Sequence, residues 1–466
     1  MAESTFPTIL ADLNFRDSAV STSLYDSIKD IRRSTLSIQN RLRSIVQDAL
    51  FVQNIASNSC LPLIANERCG SWYTDPKLKV ESAYFKSTDG HHGQWSYSLR
   101  RLNLQVLSVI GKHGGAIIVD STRRGKTMPD ALLKTVPIWV AVMNRAFFPE
   151  RTDLHALQCP PVPDSFGKSE VSQIEARLDS FVTSFKELQL DLQALTESLC
   201  KPILVQWAVN RGTVPNDINR KWRDNLSKDQ DYNLLILCSA SHRVMGAEVS
   251  EGGYIQGAGD DSESWARGLT PSVFWKYQEV LIHRTPEEEL PDIIARLIAE
   301  DTALPTKSLP RLVSPTSTLY IGPISTTGSE RLGVTIDCNA SAQRSSKTFL
   351  GLGCREGKLG SRDLRDKLFI AKDFVKSAPG KDGSERILVT CSTCKDLSAG
   401  VALMLLCLFY NDAGRQDINL NPHNIDKALI KKRIAWISAS MSDVNPSRAT
   451  LQSVNAFLME RPSERS

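Results

Sequence analysis

The sequence predicts an α/β protein: an N-terminal α/β region with long helices, followed by a C-terminal α/β domain. Three observations carry that reading. Ala116–Val119, Leu234–Leu237 and Arg386–Val389 are short apolar runs of strand length. Two of them lead through a polar loop into a helix, at 116–133 and 386–410, which is the strand–loop–helix unit of an α/β fold. Two other stretches repeat apolar residues every three or four positions, as amphipathic helices do.

The first of these stretches is Leu24–Ile55, where Ile28, Ile31, Ile38, Leu42, Ile45, Ala49 and Val52 recur at helical spacing. Its other faces carry Arg32, Arg33, Arg41 and Arg43, which read either as a solvated face or as a surface for phosphates. Gly114-Gly115 then breaks the chain before the strand 116–119 and the loop Asp120-Ser121-Thr122-Arg123-Arg124-Gly125-Lys126, and Pro129 to Leu133 reads as a helix start. After the break Cys159-Pro160-Pro161-Val162-Pro163 comes the repeat Val171, Ile174, Leu178, Phe181, Phe185, Leu188, Leu192, Leu195, Leu199, expected as one long helix over 170–200. Packing inside the protein is the favoured use of that ridge; a dimeric coiled coil is the alternative. The strand 234–237, a Gly-rich stretch to Asp260-Asp261 and a short helix 293–299 complete a region ending at 303, and 304–315 reads as a linker. Beyond it, 317–322, 334–338 and 386–389 are strands and Ala399–Tyr410 an apolar helix, in a domain expected over 316–466.

Composition limits the function. The 466 residues carry 56 Lys+Arg against 52 Asp+Glu, a net charge of +4, so nucleic-acid contact requires local clusters, not bulk basicity. Ten irregularly spaced cysteines suit a reducing cytosol better than a disulfide framework. The N-terminus lacks a signal-peptide pattern, and the longest apolar run, Val401–Tyr410, is too short to span a bilayer, so a cytoplasmic location is expected.

Three places concentrate chemistry. The 120–126 loop packs cations, hydroxyls and one acid at a helix start, a place for a phosphorylated ligand with Asp120 able to hold Mg²⁺ or a ribose hydroxyl. It partly resembles the pyrophosphate-donor loop of phosphoribosyltransferases, with Ser121 where a second acid is usual. The Phe85–Trp95 passage gathers Lys86, Asp89, His91 and His92 around glycines, upstream of Arg100-Arg101. Trp72, Trp95, Trp265 and Trp275 read as core before base-stacking platforms. Lastly, Cys391-Ser392-Thr393-Cys394-Lys395-Asp396-Leu397-Ser398 joins a buried strand to a helix and is an anion cradle by construction.

The order Leu-Tyr-Ile-Gly, a strand ending Asp-Cys-Asn, then the cysteine loop and long helix resembles the dual-specificity phosphatase fold. Cys391 stands at the nucleophile position and Ser398 at the hydroxyl following the family's arginine. That arginine is Leu397 here, the usual Gly is Cys394 and the His is Thr390, and Leu352–Glu356 offers no general-acid Asp. The expectation is a phosphate cradle without hydrolytic machinery, since no guanidinium clamps the phosphoryl oxygens. A redox dithiol or half a zinc site at Cys391-x-x-Cys394 is a lesser alternative.

Taken together, Leu63–Tyr73, Phe85–Trp95, Arg100–Asn103, Val119–Lys126 with Met128–Ala131, Gln256–Asp261, Gly268–Pro271, Cys391–Gly400 and Asn445–Arg448 resemble the initiator-tRNA 2′-O-ribosyl phosphate transferases. The resemblance implies transfer of 5-phosphoribosyl from its 1-pyrophosphate (PRPP), with Mg²⁺, to the 2′-hydroxyl of adenosine 64 of initiator methionine tRNA, which keeps that tRNA out of elongation. In this scheme Arg123, Arg124 and Lys126 neutralise pyrophosphate, alongside Ser121, Thr122 and Gly125. Asp120 holds metal or acts as base, with Asp89, Asp260 and Asp261 as further catalytic candidates. Residues 391–396 and Ser398 cradle a phosphate. Arg32, Arg33, Arg41, Arg43, Lys86, His91, Arg100, Arg101, Lys431, Lys432 and Arg433 form the expected tRNA surface. The rivals are an inactive phosphatase-like module that binds RNA or phosphoprotein, and an active phosphatase.

Overall fold

The computed structural model describes residues 36–123, 125–160, 167–210, 230–244, 253–302, 309–323, 333–341, 345–377, 385–417, 425–441 and 444–459. Arg32, Arg33 and Arg124, and the part of the first predicted helix before residue 36, lie outside them.

The first sheet holds β1 (Leu63–Asn66), β2 (Lys79–Ala83), β3 (Gly115–Asp120), β4 (Ile203–Val209) and β5 (Asn233–Ser239) in the order β2-β1-β3-β5-β4. Every pair is parallel. Its helices are α1 (Ile38–Ser59), α2 (Gln105–His113), α3 (Val136–Phe147), α4 (Lys168–Lys186), α5 (Leu192–Leu199), α6 (Ser262–Trp265), α7 (Pro271–Lys276) and α8 (Leu290–Thr302). A parallel sheet is apolar on both faces because helices must cover both. Leu63, Ile117, Val119, Leu234, Ile236 and Cys238 face a core shared with α1 and α6–α8. Ile64, Ala116, Ile118, Leu235 and Leu237 face the core of α2–α5. The N-terminus of α1 is fixed from afar: Ile38 and Gln39 amides donate to the Glu287 carboxylate at 2.8 and 2.9 Å, where the helix dipole favours an anion.

The repeat at 171–199 is two helices, not the single long one its spacing predicts. Gln189 adopts a left-handed φ of 53° between α4 and α5, and Asp191 restarts the helix by accepting the Ala194 amide at 3.0 Å. Ile174, Leu178, Phe185, Leu188 and Leu199 are buried in the α2–α5 core, so the ridge is covered within the chain. The helix start at Pro129 is a π-helical turn, Ala131–Thr135, running into α3.

The second sheet is β6 (Arg311–Leu312), β7 (Leu319–Ile321), β8 (Val334–Asp337), β9 (Phe349–Gly351) and β10 (Ile387–Thr390), in the order β6-β7-β10-β8-β9. β6 is antiparallel to β7 and lies inside the 304–315 stretch read as linker, so that stretch already contributes an edge strand. Around the sheet pack α9 (Gly357–Ser377), α10 (Leu397–Phe409), α11 (Lys427–Ser440) and α12 (Arg448–Met459). α10 is apolar all round because it is buried all round. α11 joins the two halves: Ile430, Ile434 and Ile437 enter the second core while Ala435 sits in the first. Among the described residues no helix is long and apolar enough to cross a membrane. All ten cysteines are free thiols.

Candidate active site

In a parallel sheet the loops after the strands share one edge, and a crevice opens where successive connections leave in opposite directions. Here that point lies between β1, whose chain continues outward to β2, and β3, whose chain continues toward β4. Ala65 pairs with Val119, and Val119 with Cys238, so Asn66, Asp120 and Ser239 end level at this edge.

Asp120 is completely buried and holds four donors. Arg68 grips it with Nη2 on Oδ1 at 2.9 Å and Nε on Oδ2 at 3.2 Å. Asn66 Nδ2 adds a bond at 2.9 Å, and the Ser121 amide one at 2.8 Å. The Cys69 thiol also donates to it at 2.9 Å, its pKa pushed well up by burial and by the Asp120 charge. The Arg68 guanidinium extends to Asp260 and to the Ser121 carbonyl. Burial works against its charge, but Cys69, Asp120 and Asp260 outweigh that and hold its pKa above the usual value. Arg123 closes the ring, 2.7 Å from Asp261 and 3.9 Å from Asp260. The result is an alternating line of Asp120, Arg68, Asp260, Arg123 and Asp261.

The 258–261 turn is brought to this line by Gly257, at φ 66° and packed so closely on Thr122 that a side chain would strike the Thr122 carbonyl. Gln256 ties the same loop by donating to the Lys126 carbonyl at 2.7 Å and accepting the Gly125 amide at 3.1 Å. Ser241 fixes its start, donating to the Thr122 carbonyl at 2.7 Å and lying 2.9 Å from Ser121 Oγ. Burial raises the Asp260 carboxyl above the usual range; Arg68 and Arg123 oppose the shift and nearby Asp120 adds to it. At the end of the loop Asp130 takes Lys126 at 3.4 Å and His91 at 3.6 Å, so the 85–95 passage reaches the loop's exposed end.

The cysteine loop lies at the carboxyl end of β10. Cys391 Sγ is 3.2 Å from Ser398 Oγ. Burial alone raises that thiol, but hydrogen bonds from the Ser398 side chain and amide, from Thr393 and from the Asp396 amide overbalance it, and its pKa is lowered. The Ser392 amide is taken by Asn339 Oδ1 at 2.8 Å, the Cys394 amide by the Cys391 carbonyl at 3.1 Å, and the Lys395 amide by Thr393 Oγ1 at 3.3 Å. The cradle therefore centres on a thiol and spends much of its amide set internally. Cys394 stands at φ 55°, a conformation that favours the Gly it replaces. Leu397 is buried in the core, leaving no room for an arginine.

The Rit1 N-terminal domain family matches residues 31–299, more than half of the chain, and the Rit1 DUSP-like domain family matches residues 348–458. The tRNA A64-2′-O-ribosylphosphate transferase of Saccharomyces cerevisiae is 32% identical over 507 residues, covering 96% of this chain and 97% of that protein. An uncharacterised protein of Schizosaccharomyces pombe is 34% identical over 452 residues, covering 93% of this chain and 97% of that one. The chain belongs to the initiator-tRNA 2′-O-ribosyl phosphate transferase family. No solved structure matches it.

Within this family member the expected tRNA surface divides. Arg43, Lys86, His91, Arg100 and Lys431 are exposed. Arg41 lies over the Trp265 ring at 5.7 Å. Lys432 and Arg433 do not belong to a tRNA surface. Arg433 is 2% exposed, stacked on Trp436 at 4.0 Å, donating to the Tyr410 carbonyl at 2.8 Å and 3.1 Å from Asp412. Lys432 is 3.2 Å from Asp412 and also donates to Gln189, in the break between α4 and α5. Both are structural cations, and Lys432 helps seat α11 on the first region. Trp72, Trp95 and Trp265 are buried core rings.

Asp89 lies in the 87–90 turn, where burial raises its pKa against Arg101, Lys86, Arg100 and His91, outside the Arg68 line. Asp120, expected to hold Mg²⁺ or act as base, has both oxygens engaged by Arg68, Asn66, Cys69 and Ser121, and among the described residues no group of three or more acidic, Cys or His side chains is placed to hold a metal. The residues present do not fit a protein-held Mg²⁺ at Asp120. Arg68 was the missed residue. Its signal was present: an apolar Leu63-Ile64-Ala65 run followed by Asn66-Glu67-Arg68 and a Gly has the same form as 116–125.

Proposed function

We propose that this protein transfers the 5-phosphoribosyl group of PRPP to the 2′-hydroxyl of adenosine 64 of initiator methionine tRNA, in the cytosol. The observation that carries the assignment of the site is the Asp120–Arg68–Asp260–Arg123 line at the switch point of a parallel sheet, where phosphorylated ligands bind. Arg68 and Arg123 take the pyrophosphate: charge develops on it as the C1′–O bond breaks and it leaves with the bonding pair. Arg68 is held rigid by Asp120, so Asp120 is a positioning residue. The 2′-oxygen attacks C1′, and its proton passes to Asp260 Oδ2, the oxygen that Arg68 leaves, with Arg123 Nε 3.9 Å away. A carboxyl with a raised pKa is better matched to that proton than an ordinary one. Mg²⁺ enters with PRPP as its counter-ion. The cysteine loop takes no covalent part in this scheme.

The test is incubation with labelled PRPP, Mg²⁺ and unmodified initiator tRNA, with mapping of the modified nucleotide. Label at adenosine 64, lost in Arg123→Ala, is the expected outcome; label elsewhere, or none, overturns the reading.

A further inference from the structure

A cleft of about 650 Å³ lies between the two halves of the molecule. One wall comes from the first region, with Lys79, Arg100, Arg101 and Ser272; the other comes from the second, with Lys395 of the cysteine loop and Asn445. Glu67 and Ser71, one residue before Arg68 and three after it in sequence, also line it. Glu67 already faces Lys79 at 3.1 Å, which leaves the walls with a cationic excess. Arg101 is held stiffly, its guanidinium over the Tyr84 ring at 4.9 Å and Nη2 on Asn445 Oδ1 at 3.3 Å, yet its buried Nε has no hydrogen-bond partner among the described residues. The two walls are also fixed to each other, since Ser438 donates to the Arg100 carbonyl at 2.9 Å and Arg101 to Asn445, while the Asn445 amide donates to the Lys395 carbonyl at 3.1 Å within the second wall.

We propose that this cleft grips the sugar–phosphate backbone of the acceptor RNA, with Arg100 and Arg101 as one jaw and Lys395 of the phosphatase-like domain as the other. The proposal rests on the transferase reading for the identity of the ligand as RNA. The cations are spread over two walls of an open groove bordered by hydroxyls and amides, which suits phosphates spaced along a strand. The compact pyrophosphate donor is better served by the convergent Arg68 and Arg123. The cysteine loop then has a use that needs no nucleophile: it presents Lys395, and its Asp396 carboxylate takes the Ser447 amide at 2.8 Å, fixing the segment that carries Asn445.

The experiment measures binding of unmodified initiator tRNA at several salt concentrations for the full chain and for Arg100→Ala, Lys395→Ala and the double variant, with PRPP–Mg²⁺ affinity by calorimetry in parallel. Arg100 and Lys395 are exposed, so the variants should fold. Each single change is expected to weaken tRNA binding about tenfold and to lower the slope of log K against log salt by about 1, with PRPP affinity unchanged. Lys395→Arg should restore most of the loss. Wild-type tRNA affinity in the double variant, or loss of PRPP affinity instead, overturns the proposal. A wild-type chain that binds tRNA through these residues but transfers nothing overturns the transferase reading and leaves the cleft supported.

Discussion

The two strand–loop–helix units of this chain have the same backbone logic and opposite electrostatics. At the end of β3, one buried acid is answered by Arg68, and the line continues through Asp260 to Arg123. At the end of β10, a thiol of lowered pKa sits among hydroxyls and amides, and the position where a phosphatase would place its arginine is a buried leucine. The first loop couples cations to cations through shared carboxylates and keeps a charged edge open to a ligand. The second spends its donors on itself. A loop at a helix N-terminus is an invitation to an anion; what it does chemically depends on whether a guanidinium is present.

The sharpest way to break the comparison is Arg68→Ala. It should lower single-turnover transfer by about 10³-fold and destabilise the fold by about 3–5 kcal/mol in urea unfolding, because Asp120 is left buried and uncompensated. Arg68→Lys should recover little, since one ammonium cannot reproduce the two-pronged grip. If Arg68→Ala transfers normally, the β3 edge is not the donor site.

Asp260→Asn should cost about 10²-fold in rate and remove the acid limb of the pH profile. In the wild type the basic form of Asp260 accumulates as the pH rises through a value above the ordinary carboxylate range, so activity falls on acidification earlier than an exposed aspartate would dictate. The sign for stability is the reverse. The folded state holds the Asp260 proton more tightly, an advantage complete at acid pH and lost as the pH climbs through the raised value. A variant with the wild-type profile would remove Asp260 from the proton path.

Restoring the missing arginine tests the other loop. Leu397→Arg should cost about 3 kcal/mol or more and produce no aryl-phosphate hydrolysis, because the side chain points into the core of α9, α10 and α12. Phosphate release by that variant would show the cradle to be one residue from catalysis. The smallest effect is expected for Cys391→Ser, with transfer retained within about twofold because no covalent step uses the thiol. Its lowered pKa adds stability that is complete above the ordinary thiol range and disappears as the pH falls through the lowered value, a dependence the serine variant should lack.

Local pattern was legible wherever one element could be recognised alone. The apolar runs at 116–119, 234–237 and 386–389 became β3, β5 and β10, and the polar loops that follow β3 and β10 were visible from their residue types as connections to a helix. The 171–199 repeat misled because heptad spacing continues across a break: a left-handed residue at Gln189 and a new cap at Asp191 leave the apolar rhythm intact. Lys431-Lys432-Arg433 misled because a run of cations looks alike whether it faces water or a helix. Lys432 and Arg433 are buried, and only the packing of α11 against Tyr410, Asp412 and Gln189 reveals that.

The sequence by itself determined the α/β class, the family and the two loops, because strand runs, turn residues and motif spacing are properties of neighbours along the chain. The tertiary structure alone decided that Arg68 meets Asp120 and Asp260, which stand 52 and 192 residues away. It also decided that Lys395 shares a cleft with Arg100 and Arg101. Those pairings depend on strand order and on the seating of α11, which bring distant side chains within a few ångströms, and no local periodicity encodes that distance.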